Sequence, residues 1–142
     1  MTDTNGPTIT GIHHFSPTVR DVEASAAWYE KVFSMTRLPM TFAHHEREET
    51  GYAVLLIDPV SGLVIGLHHN EANMGEPFDE VRTGLDHIGF AVPSRASLDE
   101  WVAKLDALGV EHSGIRDITE PVPFSTLVFR DPDNIQLELI HQ

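Results

Sequence analysis

The fold class that the sequence predicts is α+β, built from two modules that each run strand, helix and then three strands. The first supporting observation is an internal duplication, because three landmarks recur at a separation of 73 residues. The landmarks are His14 and His87, Trp28 and Trp101, and the pairs Asp58-Pro59 and Asp131-Pro132. The second observation is that apolar residues recur at helical spacing after capping residues. The third is that apolar and polar residues alternate, as in strands, in other parts of each module. The modules span 8–70 and 84–142 of a single domain, with 71–83 as a linker.

In the first module, residues 12–19 alternate between an apolar face and a face of smaller polar groups, which predicts a strand. Asp21 stands where it can cap the helix predicted over 22–33. Three strands follow, over 37–46, 52–57 and 63–69. Asp58-Pro59 predicts the tight turn before the last of them, because proline presets φ and aspartate bonds its own backbone.

The second module repeats this order, and residues 85–92 predict its first strand. Ser97 and Glu100 have the spacing of a capping box, so we expect the helix to begin just after Ser97. Apolar residues then recur at helical spacing until Gly109, which predicts the helix end. Three strands complete the module, over 110–118, 124–130 and 135–141.

Composition excludes several classes of function. The chain has 142 residues, of which 41% are hydrophobic and 22% charged, as in ordinary soluble proteins. Its net charge of −13 disfavours nucleic acids and anionic membrane surfaces, so we expect no partner of either kind. The lack of cysteine excludes disulfides, thiolate metal sites and cysteine nucleophiles. Residues 1–10 do not resemble a signal peptide and no apolar run has the length of a membrane helix, so we expect a cytoplasmic protein.

Strand parity places two histidines and a carboxylate on one side of the predicted sheet. His14 and His87 each share a strand face with two small residues, and Glu138 faces the same side from the last strand. A single strand histidine is more often a surface or hydrogen-bonded group, but recurrence in both modules favours a metal site. Imidazole and carboxylate ligands suit Fe(II), Mn(II), Zn(II), Co(II) or Ni(II), and three protein ligands leave coordination positions open for a substrate.

Other histidines and aromatic residues have simpler interpretations. His44 and His45 adjoin the charged run at 46–49, which is typical of a solvated strand end. His68 has the parity of the predicted ligands. Trp28 and Trp101 occupy matching helical positions, so we expect both to lie in the core.

Four stretches of the chain resemble the vicinal oxygen chelate superfamily of glyoxalases, bleomycin-resistance proteins, extradiol dioxygenases and fosfomycin-resistance transferases. They read IHHF at 12–15, VRDVEAS at 19–25 followed by Trp28-Tyr29, LDHIGFAV at 85–92 and FRDPDNIQLE at 129–138. The resemblance covers nearly the whole chain. It implies paired βαβββ modules that form a curved sheet around a metal cup, often completed across a homodimer. It places the family's metal ligands on His14, His87 and Glu138.

The resemblance leaves the reaction open. Gly66 aligns with Glu138, so the fourth side-chain ligand that also serves as base in glyoxalase I has no counterpart. Fosfomycin transferases use a similar set of two histidines and a glutamate, with cationic residues around a phosphonate. Extradiol dioxygenases also use two histidines and a glutamate, and need a pocket histidine or tyrosine for acid–base chemistry. His68 and Tyr52 are the catalytic candidates for that role.

The expected function is therefore that of a metal-dependent enzyme acting on a small substrate with vicinal oxygens, by lyase, isomerase or extradiol-type dioxygenase chemistry. The alternative is a metal-independent protein that sequesters a drug or metabolite, as bleomycin-resistance proteins do. A third hypothesis is a dimeric regulatory domain with a vestigial site. The identity of the metal ion stays open, and homodimerisation is implied by the resemblance alone.

Overall fold

The structure, a computed structural model that describes residues 6–44 and 46–142, has the α+β architecture predicted from the sequence. In chain order its elements are β1 (His14–Phe15), α1 (Val22–Phe33), β2 (Thr36–Ala43), a short 3-10 helix (Glu48–Thr50), β3 (Gly51–Ile57), β4 (Val64–Asn70), β5 (His87–Ala91), α2 (Arg95–Leu108), β6 (His112–Ile118), β7 (Phe124–Arg130) and β8 (Gln136–His141). They form two four-stranded sheets with the orders β1-β4-β3-β2 and β5-β8-β7-β6. The fold-class prediction is confirmed.

Equivalent strand pairs show the duplication residue by residue. The first strand of each module runs parallel to the last, and Gly89 of β5 pairs with Glu138 of β8. The same register in the first sheet, extended one residue beyond β1, sets Ser16 beside Gly66. A Cβ atom on Gly66 would lie 2.5 Å from Ser16 Oγ. Gly66 therefore holds the position of Glu138 in its module, and Ser16 occupies the space that a side chain there would need.

One hydrophobic core joins the two modules. Phe33 of α1 lies with its ring centroid 5.2 Å from that of Phe90 and 5.6 Å from that of Trp101. Phe15 of β1 lies 5.9 Å from Phe90 between ring centroids, and Trp28 and Trp101 both pack against the core as predicted. Because the two sheets meet through these core faces, their opposite faces lie on the outside of the molecule. We call these the two outer faces.

Buried polar contacts attach the turn between β7 and β8 to the start of the chain. The buried hydroxyl of Tyr29 donates to Asp131 at 2.8 Å, and that of Ser25 donates to Asp133 at 3.1 Å. Asp133 also accepts from the backbone N and the side-chain Nε of Arg20, each at 2.9 Å. Burial raises the pKa of Asp131 and that of Tyr29. This turn therefore fastens the two modules together.

The helix ends follow the predicted capping residues in all but one case. Asp21 caps α1 by accepting from the backbone N of Ala24 at 3.0 Å. Gly109 ends α2 with a φ of 69°. The prediction that Ser97 caps α2 is wrong, because Ser94 is the N-cap and its hydroxyl accepts from the backbone N of Ser97 at 3.1 Å. Capping at the earlier serine lets α2 start with additional hydrogen-bonded residues.

The first strand is shorter than the predicted 12–19. Pro17 has no N–H to give to the strand ladder, so β1 ends at Phe15 and only an isolated bridge from Thr18 to His68 continues it. β2 ends at Ala43, short of the predicted 46. Among the described residues, no helix is long and apolar enough to cross a bilayer.

The linker is held against the second module. Residues 71–83 contain no helix or strand. The backbone N of Phe78 donates to the carbonyl of Asp133 at 2.8 Å, and the side-chain amide of Asn134 donates to the carbonyl of Phe78 at 3.0 Å. Arg130 pairs with Glu80 at 2.6 Å, and this hydrogen bond lowers the pKa of Glu80 to about 2.

Candidate metal centre

His87 and Glu138 lie side by side on the outer face of the second sheet. β5 and β8 are neighbours, and their register brings both side chains to the same face. His87 Nε2 is 3.4 Å from Glu138 Oε2, and the two side chains are 40% and 17% exposed. A Cβ atom on Gly89 would lie 3.5 Å from that carboxylate oxygen. Glycine at this position therefore keeps the space beside the carboxylate open.

Each of these side chains is oriented by a neighbour that the sequence analysis did not identify. Asp86 Oδ1 lies 2.6 Å from His87 Nδ1. A carboxylate only accepts, so Nδ1 of the neutral ring carries the proton and Nε2 keeps its lone pair on the side of Glu138. The hydroxyl of Thr126 donates to Glu138 Oε1, which leaves Oε2 toward His87. Asp86 could have been identified from the sequence as a partner of His87, because the two residues are adjacent. Thr126 can be identified as a partner of Glu138 only from the pairing of β7 with β8.

His14 occupies the equivalent place on the other sheet. It is exposed at the start of β1, and its Nδ1 lies 2.9 Å from Nδ1 of His13, where the second module has Asp86. Within 6–44 and 46–142, no three His, Asp or Glu side chains are grouped closely enough to hold a metal ion. A single chain thus brings His87 and Glu138 together and leaves His14 apart. The three-residue ligand set stays a prediction.

The chemistry and spacing of His87 and Glu138 fit two ligands of one divalent ion. An unprotonated imidazole nitrogen and a carboxylate oxygen are common ligand atoms for such ions. Two atoms that are each ~2.1 Å from a tetrahedrally coordinated ion are ~3.4 Å apart. The observed separation of Nε2 and Oε2 is 3.4 Å. The pair is therefore half of a site, with an open side toward solvent.

A second pair of histidines lies on the outer face of the first sheet. The ring centroids of His44 and His68 are 4.9 Å apart. Burial, together with the nearby His44 and His14, lowers the pKa of His68, so its ring is neutral at pH 7. The prediction that His44 lies at a solvated strand end is wrong, since only 6% of it is exposed. It is buried because the 3-10 helix returns Thr50 to hydrogen-bond its ring. His45 lies outside the described residues.

The two catalytic candidates do not share a face. Ala53 pairs with His68 across β3 and β4, whereas Tyr52 pairs with His69 and lies with its ring centroid 5.2 Å from that of His69. Neighbouring residues of a strand point to opposite faces. Only His68 therefore lies on the outer face that also carries His14, and an acid–base role for His68 or Tyr52 stays a prediction.

Comparison with known proteins places this geometry in a family context. The sequence profile of the Glyoxalase/Bleomycin resistance protein/Dioxygenase superfamily matches residues 11–139. No curated protein matches the chain. Among solved structures, the chain is similar to a glyoxylase/bleomycin resistance protein/dioxygenase domain from Frankia sp. EAN1pec, with 31% identity, coverage of 94% of this chain and 92% of that chain, and a TM-score of 0.79.

Two more distant structures share the fold. One is a glyoxalase family protein from Enterococcus faecalis, with 19% identity, coverage of 93% of this chain and 98% of that chain, and a TM-score of 0.69. The other is a variant of the fosfomycin resistance protein FosX from Listeria monocytogenes, with 20% identity, coverage of 93% of this chain and 92% of that chain, and a TM-score of 0.62. That variant is complexed with Mn(II) and 1S,2S-dihydroxypropylphosphonic acid.

Proposed function

Because this chain belongs to the glyoxalase/bleomycin resistance protein/dioxygenase superfamily, we propose that it is a divalent-metal-dependent enzyme whose small substrate presents two neighbouring oxygens. Its reaction is that of a lyase or isomerase, or an extradiol-type dioxygenation. The observation that supports this most is the solvent-open pair of His87 Nε2 and Glu138 Oε2, which are 3.4 Å apart. Since the FosX variant of the same fold binds Mn(II), this is the first ion to test, before Fe(II), Zn(II), Ni(II) and Co(II).

The chain's own residues prepare this site before any ion binds. A bound divalent ion supplies a Lewis acid that polarises the substrate oxygens. His87 offers Nε2 because Asp86 holds the ring proton on Nδ1. Glu138 offers Oε2 because Thr126 occupies Oε1. Ligands held by such neighbours need no rearrangement on binding, which raises their affinity for the ion.

The third ligand of the proposed site is His14 of the partner subunit in a homodimer. In each chain the two outer faces point away from each other, so His14 cannot reach its own His87. β1 and β5 are both edge strands, and large apolar side chains next to them are exposed, Ile12 by 79% and Leu85 by 64%. Placing β1 of one chain beside β5 of the other covers these side chains and joins the outer faces. Two-fold symmetry then yields two equal sites.

Mixed dimers test the proposed ligand residues and the proposed sharing of the site between two subunits. His14→Ala and His87→Ala should each lower Mn(II) content, as measured by elemental analysis after dialysis. His141→Ala is the control, because His141 lies on β8 with parity opposite to that of Glu138. A mixture of the two ligand variants, unfolded and refolded together, should regain about a quarter of the wild-type sites, because half of the dimers then hold one complete site. A mixture that regains none contradicts sharing between subunits.

The same measurements separate the enzyme from a sequestering protein. If all three ligand variants, including Glu138→Ala, keep the wild-type metal content, the proposed site is wrong. Tight binding of a bleomycin-type drug that survives a chelator would then favour sequestration. Consumption of O₂ with catechols by the Fe(II)-loaded protein would select the dioxygenase reaction over lyase or isomerase chemistry.

A further inference from the structure

The guanidinium of Arg116 is an exposed cation on β6 that the proposed metal site does not use. The residues on either side of it face the helix side of the sheet. Ile115 packs against the core, and Asp117 pairs with Arg95 of α2 at 2.8 Å. Since successive residues of a strand point to opposite faces, Arg116 lies on the outer face of the second sheet, which carries the candidate metal centre.

The guanidinium of Arg116 makes no ion pair or hydrogen bond within residues 6–44 and 46–142. Five other arginines each pair with a carboxylate, namely Arg20, Arg37, Arg82, Arg95 and Arg130. The chain carries 22 acidic residues against nine lysines and arginines, so carboxylate partners are plentiful. An arginine that takes none of them keeps its N–H donors available for a ligand.

The duplicated fold does not itself require a cation at this position. Ala53 precedes Thr126 by the same 73 residues that separate the other repeated landmarks. The partner of Ala53 on the neighbouring strand is Phe42, whereas the partner of Thr126 is Arg116. Phe42 and Arg116 therefore hold equivalent places in the two sheets. Because an apolar side chain serves this place in the first module, the arginine is explained better by binding than by folding.

Two apolar side chains lie between Arg116 and the candidate metal ligands. β7 separates β6 from β8, so Arg116 and Glu138 are two strand spacings apart, which is ~10 Å across the sheet. Val128 of β7 pairs with Glu138, and Ile140 of β8 pairs with Thr126. Both apolar side chains are half-buried and share the outer face with Glu138 by strand parity. A ligand that reaches from the ion to Arg116 therefore lies over Val128 and Ile140.

We propose that Arg116 binds a carboxylate of the substrate, at the end opposite to the two neighbouring oxygens that bind the metal ion. The planar fork of an arginine matches the two oxygens of a carboxylate. Its single positive charge suits a carboxylate better than a doubly charged phosphoryl group. The apolar side chains along the way suit a ring or hydrocarbon that joins the two polar ends. This inference rests on the proposed function, since it names the substrate class of that enzyme.

The test compares 3,4-dihydroxybenzoate with 3,4-dihydroxybenzamide on the full-length protein. Both molecules have the same two neighbouring hydroxyls, but only the acid carries a charge at the far end of the ring. Binding is measured under anaerobic conditions, by calorimetry on the Mn(II)-loaded protein and by NMR on the metal-free protein. We expect the acid to bind ~10-fold more tightly than the amide, because a charge-assisted pair is stronger than neutral hydrogen bonds. Equal affinities for acid and amide, or binding of neither in both preparations, would overturn the inference.

Two arginine variants separate a local role from an effect of overall charge. Arg116→Gln should abolish the preference for the acid and leave binding of the amide unchanged. The control is Arg95→Gln, which removes the same charge from the other side of the same sheet and should keep the preference. A preference that persists in Arg116→Gln contradicts the inference, and so does its loss in both variants.

Metal content of the same samples distinguishes the two possible failures. Intact Mn(II) binding with equal affinities for acid and amide refutes only the role of Arg116. Absence of Mn(II) binding, with a preference for the acid that depends on Arg116 in the metal-free protein, refutes only the proposed function.

Discussion

Asp86→Asn tests how the chain prepares His87 to bind a metal ion. The substitution replaces the charged acceptor 2.6 Å from His87 Nδ1 with a neutral amide. That amide can also turn its NH₂ group toward the ring and move the imidazole proton to Nε2. Loss of such a neighbour lowers metal affinity by ~10- to 100-fold. The side chains of His87 and Asp86 are 40% and 64% exposed, so solvent screens their interaction. We therefore expect a loss of ~10-fold, or ~1.4 kcal/mol of binding free energy.

Calorimetric titration with Mn(II) measures this change. The control is Glu100→Gln, which removes the same charge from an exposed position on α2, in a chain whose net charge is −13. Thermal unfolding of the metal-free variants shows whether each still folds. Unchanged affinity in Asp86→Asn would refute the idea that Asp86 orients His87. Equal losses in both variants would show that only the overall charge of the protein matters.

Two further predictions concern polar contacts that attach the second module to α1 and to the linker. Tyr29→Phe removes the hydroxyl that donates to buried Asp131 at 2.8 Å, and should lower the free energy of unfolding by ~1.5–3 kcal/mol in urea denaturation. Tyr52→Phe, at a site 36% exposed, should change it by less than ~0.5 kcal/mol, and equal losses in both variants would contradict this reasoning. Glu80 has a pKa of about 2 instead of the ordinary 4.5, so its contribution to stability is present above pH 4.5 and is lost as the pH falls toward 2. NMR titration of the Glu80 carboxyl should show that low midpoint, and Arg130→Gln should return it toward the ordinary value; an unshifted midpoint in the wild type would count against the ion pair.

Local signals in the sequence were sufficient where one residue controls one structural event. Asp21 predicted the start of α1, and Gly109 predicted the end of α2. Both act through hydrogen bonds or backbone angles within a few residues, so no distant part of the chain can change their effect. Ser97 shows the limit of such signals. Two serines three residues apart can each cap a helix, and the choice between them depends on where the chain packs.

In the candidate site, too, some features could be predicted from local signals and others depended on the tertiary structure. Alternation along β5 and β8 predicted that His87 and Glu138 face one side, because parity is a property of each strand alone. Their separation of 3.4 Å depends on which strands are neighbours. The support of Glu138 by Thr126 depends on the pairing of β7 with β8 for the same reason.

By itself, the sequence determined the duplicated α+β plan, both helices and the common side to which His87 and Glu138 point, since all of these follow from periodicity and repetition. Burial of His44 and the separation of His14 from His87 required the tertiary structure. They depend on how the core faces of two similar modules meet, and that packing is set by contacts between residues far apart in the chain, such as Phe15 with Phe90. No local pattern records such contacts.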